Sequence, residues 1–238
     1  MKAMVMIPTY NERGNIEKLL AEIILKNDEV GVVVVDDDSP DGTWKIVEKW
    51  NKRYPNRVFL IHRIGVRGRG TAGVAGLKFG ASKNVDYVLE MDADFSHDPK
   101  YIPEFLKKME AEDADVVIGS RFIPGGKDAE RGLIRRFISL SSRMVYRLIT
   151  GLPIADLGSG YKCYRREALK SVNLDRFISG GLAVGMETIF KMFKKNYKIV
   201  EMPIIFVDRK VGYSKLRLKD FFEPVVVGLK LVSKYGRA

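Results

Sequence analysis

The sequence predicts an α/β protein built on a doubly wound, mostly parallel sheet. Along the first half of the chain, short and almost entirely apolar segments alternate with segments whose apolar residues recur at helical spacing. Strands that helices cover on both faces have this apolar character, and the alternation is typical of parallel strands joined by crossover helices. The predicted strands are Ala3–Ile7, Gly31–Val35, Val58–Ile61, Tyr87–Met91 and Asp115–Ile118.

Helices are predicted between these strands. Asn15–Lys26 carries apolar residues at helical spacing, Thr43–Arg53 follows a Ser-Pro-Asp-Gly turn, and Pro99–Glu112 begins with a proline that suits a first helical turn. The second half then contains a basic amphipathic helix over Arg131–Thr150, a glycine-rich loop, a helix near Ala183–Lys195 and a last strand, Ile199–Val207. No internal repeat or long linker divides the chain, so we expect residues 1–238 to form one domain.

Composition excludes several classes of protein. Of the 238 residues, 46 % are hydrophobic and 30 % charged, which is typical of a globular protein and excludes disorder for most of the chain. Cys163 is the sole cysteine, so there is no disulfide framework and no cysteine-based zinc site. No apolar run approaches the roughly 20 residues that span a bilayer, and no signal peptide begins the chain. We therefore expect a soluble or peripheral protein. The net charge of +11 suits phosphate-rich ligands, nucleic acid or an anionic membrane surface.

Polar residues follow each predicted strand of the first half. Ligands of open α/β sheets bind beyond the carboxyl ends of the strands, where loops and helix N-termini converge. Any one polar cluster has about even odds of being ordinary turn chemistry, but five clusters at one edge predict a binding site. The clusters are Pro8–Glu12, Asp36–Gly42, Arg63–Gly70, Asp92–Asp94 and Gly119–Arg121.

Asp92-Ala93-Asp94 is the most informative of these clusters. Two carboxylates that leave a buried strand two residues apart can both face the crevice, and hard oxygen ligands of this kind suit Mg²⁺ or Mn²⁺ together with substrate phosphates. The alternative is a strand-end turn in which Ser96 and Asp98 cap the following helix. His97 stands beside the proline at the helix start, where we expect a surface residue rather than a ligand.

Asp36-Asp37-Asp38 places three like charges in a row, which is unfavourable unless a cation or hydrogen-bond donors neutralise them. The middle carboxylate, Asp37, can accept a hydrogen bond from a nucleoside base or a ribose hydroxyl, as acidic residues at the end of a second strand do in dinucleotide-binding folds. A capping cluster for the next helix is the alternative, and Ser39 and Asp41 suit that role better. Both interpretations can hold together.

Gly68–Gly73 matches the G-x-G-x-x-G fingerprint of dinucleotide sites. The fingerprint normally follows the first strand, whereas this copy follows the third and contains or adjoins several arginines, so its context argues against a nicotinamide or flavin site. A loop of glycines and arginines can equally approach a diphosphate. Close helix–sheet packing through Gly73, Gly76 and Gly80 is a third interpretation.

Five arginines and no acidic residue lie between Arg131 and Ala155. Interleaved with apolar residues, they predict either a helix that lies in a membrane interface or an ordinary amphipathic helix docked on the sheet. Nucleic-acid binding would also use arginines, but the aromatic residues needed for base stacking are sparse here. A basic nucleic-acid-binding module would also leave the aspartate clusters unexplained.

Several motifs together resemble the dolichyl-phosphate mannose synthases of glycosyltransferase family 2, which have a GT-A fold. They are Met4–Glu12, Val32–Thr43, Met91–Pro99, Gly119–Arg121 and Phe206–Leu216. The resemblance covers nearly the whole chain. It implies transfer of mannose from GDP-mannose to dolichyl or another polyprenyl phosphate with inversion, using Mg²⁺ or Mn²⁺. Transfer of glucose from UDP-glucose to the same lipid is the alternative within this class.

The resemblance also implies a role for individual residues, of which Asp94, Arg121 and Arg209 would be catalytic. Guanosine would contact Pro8, Tyr10, Glu12, Val35 and Asp37; the diphosphate and its metal would contact Asp92, Ala93 and Asp94, with Asp92 and Asp94 as the metal ligands; donor or acceptor phosphates would contact Arg121, Arg209 and Lys215; and the acceptor phosphate would contact Arg135 and Ser139. Ser96 stands where some relatives have a glutamine ligand, which leaves that metal position to water.

By the same resemblance, residues 1–125 form a nucleotide-sugar and metal half and residues 126–238 an acceptor and membrane-facing half. The protein would be peripheral on the cytoplasmic face of a membrane, with a membrane-anchoring partner left open. Nucleic acid is not among the expected partners. The acceptor phosphate is already ionised at neutral pH, so the reaction needs no strong general base.

Overall fold

A seven-stranded sheet organises the part of the chain that the structure describes. A computed structural model of the protein describes residues 1–129, 144–181, 183–207 and 218–238. The elements in chain order are β1 (Ala3–Thr9), α1 (Arg13–Ile24), β2 (Val30–Asp36), α2 (Thr43–Arg53), β3 (Val58–His62), α3 (Arg69–Ser82), β4 (Tyr87–Glu90), a 3-10 turn (Pro99–Tyr101), α4 (Ile102–Ala111), β5 (Val116–Ser120), β6 (Lys127–Ala129), β7 (Lys162–Arg165), α5 (Arg166–Ser171), α6 (Val184–Phe193), β8 (Ile199–Pro203), β9 (Ile205–Val207) and α7 (Leu218–Tyr235). Residues 144–150 are also helical.

The strand order in the sheet is β3-β2-β1-β4-β7-β5-β8. All neighbouring strands are parallel except β7, which lies antiparallel between β4 and β5. The order reverses direction at β1, as it does in doubly wound sheets. The predicted fold class, a mostly parallel doubly wound sheet, is confirmed.

Two apolar layers cover the two faces of this sheet. One layer joins the inward residues of α1, α2 and α4 to alternate residues of the strands, for example Leu19 and Phe105 against Val5. The other joins α3, α5, α6, α7 and the helical residues 144–150 to the remaining strand residues, for example Leu77 and Phe190 with Met6. Central strands buried on both faces explain why the predicted strands consist of continuous apolar runs rather than an alternating pattern.

Two sequence predictions differ from the structure. The segment Ile199–Val207, predicted as one strand, forms two strands in two sheets, since β8 pairs with β5 whereas β9 pairs with β6. Strand β7 was not predicted, because it has four residues and carries charged Lys162 and Arg165 at its ends. It lies in the region predicted as a glycine-rich loop.

Of the predicted helix Arg131–Thr150, residues 130–143 lie outside the described residues, and residues 144–150 are helical. Within the described parts of the chain, no helix combines the length and apolar character needed to cross a membrane.

Close contact between α3 and β1 generates a stability prediction. A Cβ on Gly76 would overlap Met6 and lie 3.0 Å from the Val35 side chain, whereas a Cβ on Gly14 of α1 would meet nothing within 4 Å. We expect Gly76→Ala to lower the free energy of unfolding by about 1–3 kcal/mol through overpacking. Gly14→Ala should raise it by about 0.5–1 kcal/mol, because alanine favours the helix. Urea unfolding of both variants tests this pair, and equal effects of the two substitutions would contradict the packing at Gly76.

Candidate active site

The carboxyl ends of β1 and β2 lie side by side and form the first wall of a crevice. Their register pairs Pro8 with Val35 and Thr9 with Asp36. The fully buried Asp36 carboxylate accepts hydrogen bonds from the Thr9 hydroxyl at 2.7 Å and from the backbone N–H and hydroxyl of Ser39 at 2.8 and 2.7 Å. These bonds stabilise the first carboxylate of the aspartate run and fix the two strand ends together.

Asp37 holds the loop that follows β3. Its carboxylate accepts hydrogen bonds from Arg63 Nε at 2.6 Å and from the backbone N–H of Gly68 at 2.8 Å. Asp38 contacts His62 Nε2 at 2.8 Å. All three aspartates of the run therefore have hydrogen-bond or ion-pair partners within the chain. A contact of Asp37 with a nucleoside stays a prediction, and it would use the remaining lone pairs of the Asp37 carboxylate oxygens.

The other predicted nucleoside contacts lie beside these strand ends. The Arg67 guanidinium stacks 4.4 Å from the centroid of the Tyr10 ring, and the Glu12 backbone N–H donates to Thr43 Oγ1 at 2.9 Å. Asp41 accepts a hydrogen bond from the Thr43 backbone N–H at 2.9 Å, as the capping interpretation expects. The structure thus brings Pro8, Tyr10, Glu12, Val35 and Asp37 to one edge of the sheet.

Asp92, buried Ala93 and Asp94 follow β4, separated from it by Met91. Asp94 Oδ1 accepts hydrogen bonds from the backbone N–H and hydroxyl of Ser96 at 3.1 and 2.6 Å, in a turn where Phe95 has a φ of 60°. The helix-capping function belongs to Asp98, whose carboxylate accepts from the Lys100 backbone N–H at 3.0 Å. Capping therefore does not account for Asp92 or Asp94.

His97 supports Asp92 from inside the protein. Its Nδ1 accepts a hydrogen bond from the Asp92 backbone N–H at 2.9 Å, and its ring packs 5.0 Å from the Tyr161 ring. The expectation of a surface histidine is wrong, because the side chain is only 2 % exposed. Burial lowers the pKa of His97 to about 4, against the opposing effect of Asp92 and Asp94, so the ring is neutral at physiological pH.

The residues around Asp92 fit a divalent cation. Gly160 lies beside this carboxylate, because a Cβ there would lie 3.3 Å from Asp92 Oδ2 and 2.9 Å from Arg69 Nη2. Asp92 and Asp94 offer hard oxygen ligands, as Mg²⁺ and Mn²⁺ prefer. Within the described residues, no group of three or more His, Cys, Asp or Glu side chains forms a metal site. Substrate phosphates and water would have to complete the coordination, which is usual for Mg²⁺.

Arg69, at the start of α3, forms an ion pair with Asp92 Oδ1. The sequence places this residue among the arginines of the glycine-rich loop but gives no sign of its partner. Gly70 follows it, and a Cβ there would overlap the carbonyl oxygen of Gly181. The first turn of α3 is therefore packed against the loop around Gly181.

Arg121 follows β5 and lies in a buried pair. Its Nε and Nη2 donate to the two carboxylate oxygens of Asp156 at 2.7 and 2.8 Å, and its backbone N–H donates to Asp156 Oδ2 at 3.0 Å. The Glu201 carboxylate in turn accepts from the backbone N–H groups of Ala155 and Asp156 at 2.7 and 2.9 Å. Two nitrogens of the Arg121 guanidinium are thus used in the pair with Asp156. A contact of Arg121 with phosphate stays a prediction.

Lys162 is a buried cation that sequence reasoning missed together with β7. Its Nζ donates to the Ser159 carbonyl, and burial lowers its pKa. The register places it beside Glu90, at the end of β4. Lys162 adds positive charge beneath the carboxylates of the crevice.

Two carboxylates hold the loop at residues 178–181. Glu187 of α6 is fully buried and accepts from the backbone N–H groups of Ile178 and Ser179 at 2.9 and 3.0 Å, and Lys191 pairs with it at 2.8 Å. Glu223 of α7 accepts from the Ser179 hydroxyl at 2.6 Å and from the Gly181 backbone N–H at 2.8 Å. Because this loop packs on Gly70, α6 and α7 together position the start of α3.

Four of the predicted site residues lie outside the described residues. They are Arg135, Ser139, Arg209 and Lys215.

Comparison with protein families assigns this arrangement to a known group. The model of the family "Glycosyl transferase family 2" matches residues 4–172, which is more than half of the chain. The chain belongs to glycosyl transferase family 2. The resemblance seen in the sequence is confirmed, and membership in this family favours an enzyme over a nucleic-acid-binding module.

Three curated members of the family are similar to the chain over most of its length. It is 37 % identical to an undecaprenyl-phosphate mannosyltransferase of Micrococcus luteus, covering 91 % of this chain and 88 % of that protein. It is 34 % identical to a polyprenol monophosphomannose synthase of Mycolicibacterium smegmatis, covering 90 % and 81 %. It is 38 % identical to a dolichol-phosphate mannosyltransferase of Pyrococcus furiosus, of which it spans 61 %.

A solved glycosyltransferase structure has the same fold. Glucosyl-3-phosphoglycerate synthase from Mycobacterium tuberculosis, in complex with Mn²⁺, UDP-glucose and phosphoglyceric acid, superposes with a TM-score of 0.70 and 19 % identity, covering 100 % of this chain and 80 % of that one. The predicted GT-A fold is confirmed. At this level of identity the similarity concerns the fold alone.

The Arg121–Asp156 pair generates a prediction for this family 2 glycosyltransferase. The two side chains are 6 % and 1 % exposed, whereas Asp113, which pairs with Arg165, is 92 % exposed. Asp156→Asn should lower the free energy of unfolding by about 3 kcal/mol or more, because it leaves a buried guanidinium without its counter-ion. The control Asp113→Asn should change it by at most about 1 kcal/mol. Chemical unfolding measures both, and a small effect of Asp156→Asn would show that water reaches Arg121.

Proposed function

We propose that the protein transfers mannose from GDP-mannose to a polyprenyl phosphate such as dolichyl phosphate, giving the lipid-linked mannose and GDP with inversion at the anomeric carbon. The observation that carries this proposal is the carboxylate pair Asp92 and Asp94 at the carboxyl edge of a GT-A sheet, in a chain 34–38 % identical to three enzymes named for lipid-phosphate mannosylation.

The chemistry balances without a general base. An oxygen of the acceptor phosphate donates its electron pair to the anomeric carbon, and the bond from that carbon to the diphosphate breaks with its electron pair on GDP. The nucleophile is already an anion at neutral pH, so no proton has to be removed. The neutral, buried His97 agrees with this requirement, because it contacts the backbone of Asp92 rather than open space.

The protein's task is to hold two anions together and to stabilise the growing charge of the leaving diphosphate. Asp92 and Asp94 would hold Mg²⁺ or Mn²⁺, which supplies Lewis-acid stabilisation to that diphosphate when bound. Guanosine would lie on the strand ends around Tyr10, Glu12 and Asp37. Arg121, Arg209 and Lys215 would contact donor or acceptor phosphates, and Arg135 and Ser139 the acceptor phosphate, where cations offset the repulsion between the reactants.

A membrane surface would deliver the lipid acceptor. Apolar side chains that face solvent lie on two neighbouring helices, with Met144 and Leu148 at 63 % and 66 % exposure on residues 144–150, and Val226 and Leu229 at 48 % and 55 % on α7. The helices adjoin, since a Cβ on Gly228 would lie 3.3 Å from the Tyr146 ring. We propose that this half of the chain, residues 126–238, faces the membrane as a peripheral element on the cytoplasmic side, whereas residues 1–125 carry the nucleotide sugar and the metal. A membrane-anchoring partner is compatible with this arrangement.

Product analysis with competing donors tests the proposed reaction. With GDP-mannose and UDP-glucose offered together to a short polyprenyl phosphate, we expect a mannosyl lipid with inverted configuration, identified by mass spectrometry and NMR. A glucosyl lipid would replace the proposed donor by UDP-glucose. Absence of any glycolipid with either donor would overturn the proposal.

Asp94→Asn should separate metal binding from turn formation. Asparagine keeps an oxygen that can accept from Ser96, but it carries no charge for the cation. We expect turnover at saturating Mg²⁺ or Mn²⁺ to fall a hundredfold or more, about 2.7 kcal/mol in barrier. The melting temperature of the metal-free protein should hardly change or should rise, because repulsion from Asp92 is relieved.

Asp98→Asn is the matched control for this variant, because Asp98 caps the 3-10 turn four residues away. Its turnover should stay near that of the wild type. Near-normal turnover of Asp94→Asn would remove Asp94 from the metal site.

Membrane binding should depend on the arginines of the segment 131–150. We expect binding to anionic vesicles that weakens with added salt and fails when Arg135, Arg136 and Arg143 become Glu, since each basic residue near the surface contributes about 1 kcal/mol. In a control variant, Lys49, Lys52 and Arg53, which are exposed on α2, are replaced by Glu so that the same number of charges is reversed. Vesicle sedimentation compares the two, and undiminished binding of the first variant would refute this placement.

A further inference from the structure

The proposed metal site contains a cation of the chain's own. Arg69 pairs with Asp92 Oδ1, and the two side chains are 38 % and 28 % exposed. The pair thus lies at the surface of the crevice, where a ligand can reach both partners. This distinguishes it from the Arg121–Asp156 pair, which solvent hardly reaches.

The surroundings fit Arg69 to this position. Gly160 lies against this pair, because a Cβ there would lie 2.9 Å from Arg69 Nη2 and the guanidinium would have to shift. Gly70 packs on the Gly180–Gly181 carbonyls and fixes the first turn of α3. Asp92 raises the pKa of Arg69, with smaller contributions from Glu90 and Asp94, so the guanidinium stays charged throughout the physiological range.

A divalent cation and Arg69 need the same carboxylate. A metal bound at Asp92 and Asp94 would bring two positive charges beside the guanidinium, and it would compete with Arg69 for Asp92 Oδ1. A diphosphate bound to that metal offers Arg69 new anionic oxygens in the same crevice. A guanidinium suits such oxygens well, because its planar fork donates two hydrogen bonds to one phosphate.

We propose that Arg69 is an exchangeable counter-ion, which neutralises Asp92 until a divalent cation binds there and then contacts the diphosphate of the donor. The inference rests on the proposed use of a nucleoside-diphosphate sugar with Mg²⁺ or Mn²⁺, and it adds a donor contact that the motifs did not provide. Two consequences follow from the exchange. The metal binds weakly alone and tightly with nucleoside diphosphate, and the diphosphate retains some affinity without metal.

Calorimetry of Arg69→Leu tests both consequences without turnover. Three titrations are needed: Mn²⁺ alone, GDP with EDTA, and Mn²⁺ at saturating GDP. In the wild type, GDP should tighten Mn²⁺ binding at least tenfold. In Arg69→Leu, Mn²⁺ alone should bind at least fivefold tighter, GDP with EDTA should bind at least tenfold more weakly, and GDP should tighten Mn²⁺ binding less than in the wild type.

Arg69→Gln and Arg53→Leu complete the set. Arg69→Gln is also neutral and should show the same shifts, which keeps the test decisive if Arg69→Leu melts early by circular dichroism. Arg53→Leu removes an equal charge from the exposed end of α2 and should match the wild type.

The proposed exchange would be wrong if the Arg69 variants bound Mn²⁺ no more tightly than the wild type, or if they bound GDP equally well. Neither result would affect the product analysis that tests the proposed function. A wild type that binds neither GDP nor UDP with Mn²⁺ would overturn both this inference and the proposed function.

Discussion

Several aspartates lie together where the parallel strands end, and their negative charges must be stabilised by partners within the chain. The rest of the site depends on this constraint. Parallel strands all end at the same edge, so residues that follow β1, β2 and β4 along the chain become neighbours in space. Each of these carboxylates has an identified partner. Asp36 accepts from Thr9 and Ser39. Asp37 pairs with Arg63, and Asp92 pairs with Arg69. Without those partners, like charges at close range would oppose folding.

The partners differ in how firmly they are held, and burial sets the difference. Arg121 and Asp156 are removed from water, so separating them would leave a charge unpaired in a poorly solvated place. Arg69 and Asp92 are partly exposed, and water can solvate either group when they part. Replacing Arg69 by a ligand at Asp92 therefore costs much less free energy than replacing Arg121 at Asp156. The exposed pair lies at the predicted metal site, whereas the buried pair supports the wall beside it.

The sequence predicted the features that are local in the chain. Each polar cluster follows an apolar run by one or two residues, so strand ends and candidate carboxylates could be located from spacing alone. The partners could not be located in this way, because Arg69 is 23 residues from Asp92 and Asp156 is 35 residues from Arg121. The burial of His97 was also beyond reach, since it depends on packing against Tyr161 and Phe206 from distant segments.

Strand β7 shows a further physical limit of prediction from pattern. Four residues give too short an apolar run to distinguish a strand from a loop. Lys162 looks like a solvent-facing residue, because the sequence does not show that β7 lies between β4 and β5 in the sheet. Its insertion between these strands has a consequence for the whole enzyme. Residues 126–238 supply two strands to the main sheet, β7 and β8, so they share one sheet with residues 1–125.

The same interdependence reaches the proposed donor site through the loop at residues 178–181. Glu187 of α6 and Glu223 of α7 hold this loop by its backbone N–H groups, and the Gly180–Gly181 carbonyls contact Gly70 beside Arg69. The outer side of α7 carries the exposed Val226 and Leu229. A displacement of α7 would therefore reach the first turn of α3 through hydrogen bonds and close packing, because neither the glycine contact nor the part-buried Glu223 carboxylate can yield without loss of a partner. The surface proposed for the lipid and the residues proposed for the diphosphate are thus linked by adjoining contacts.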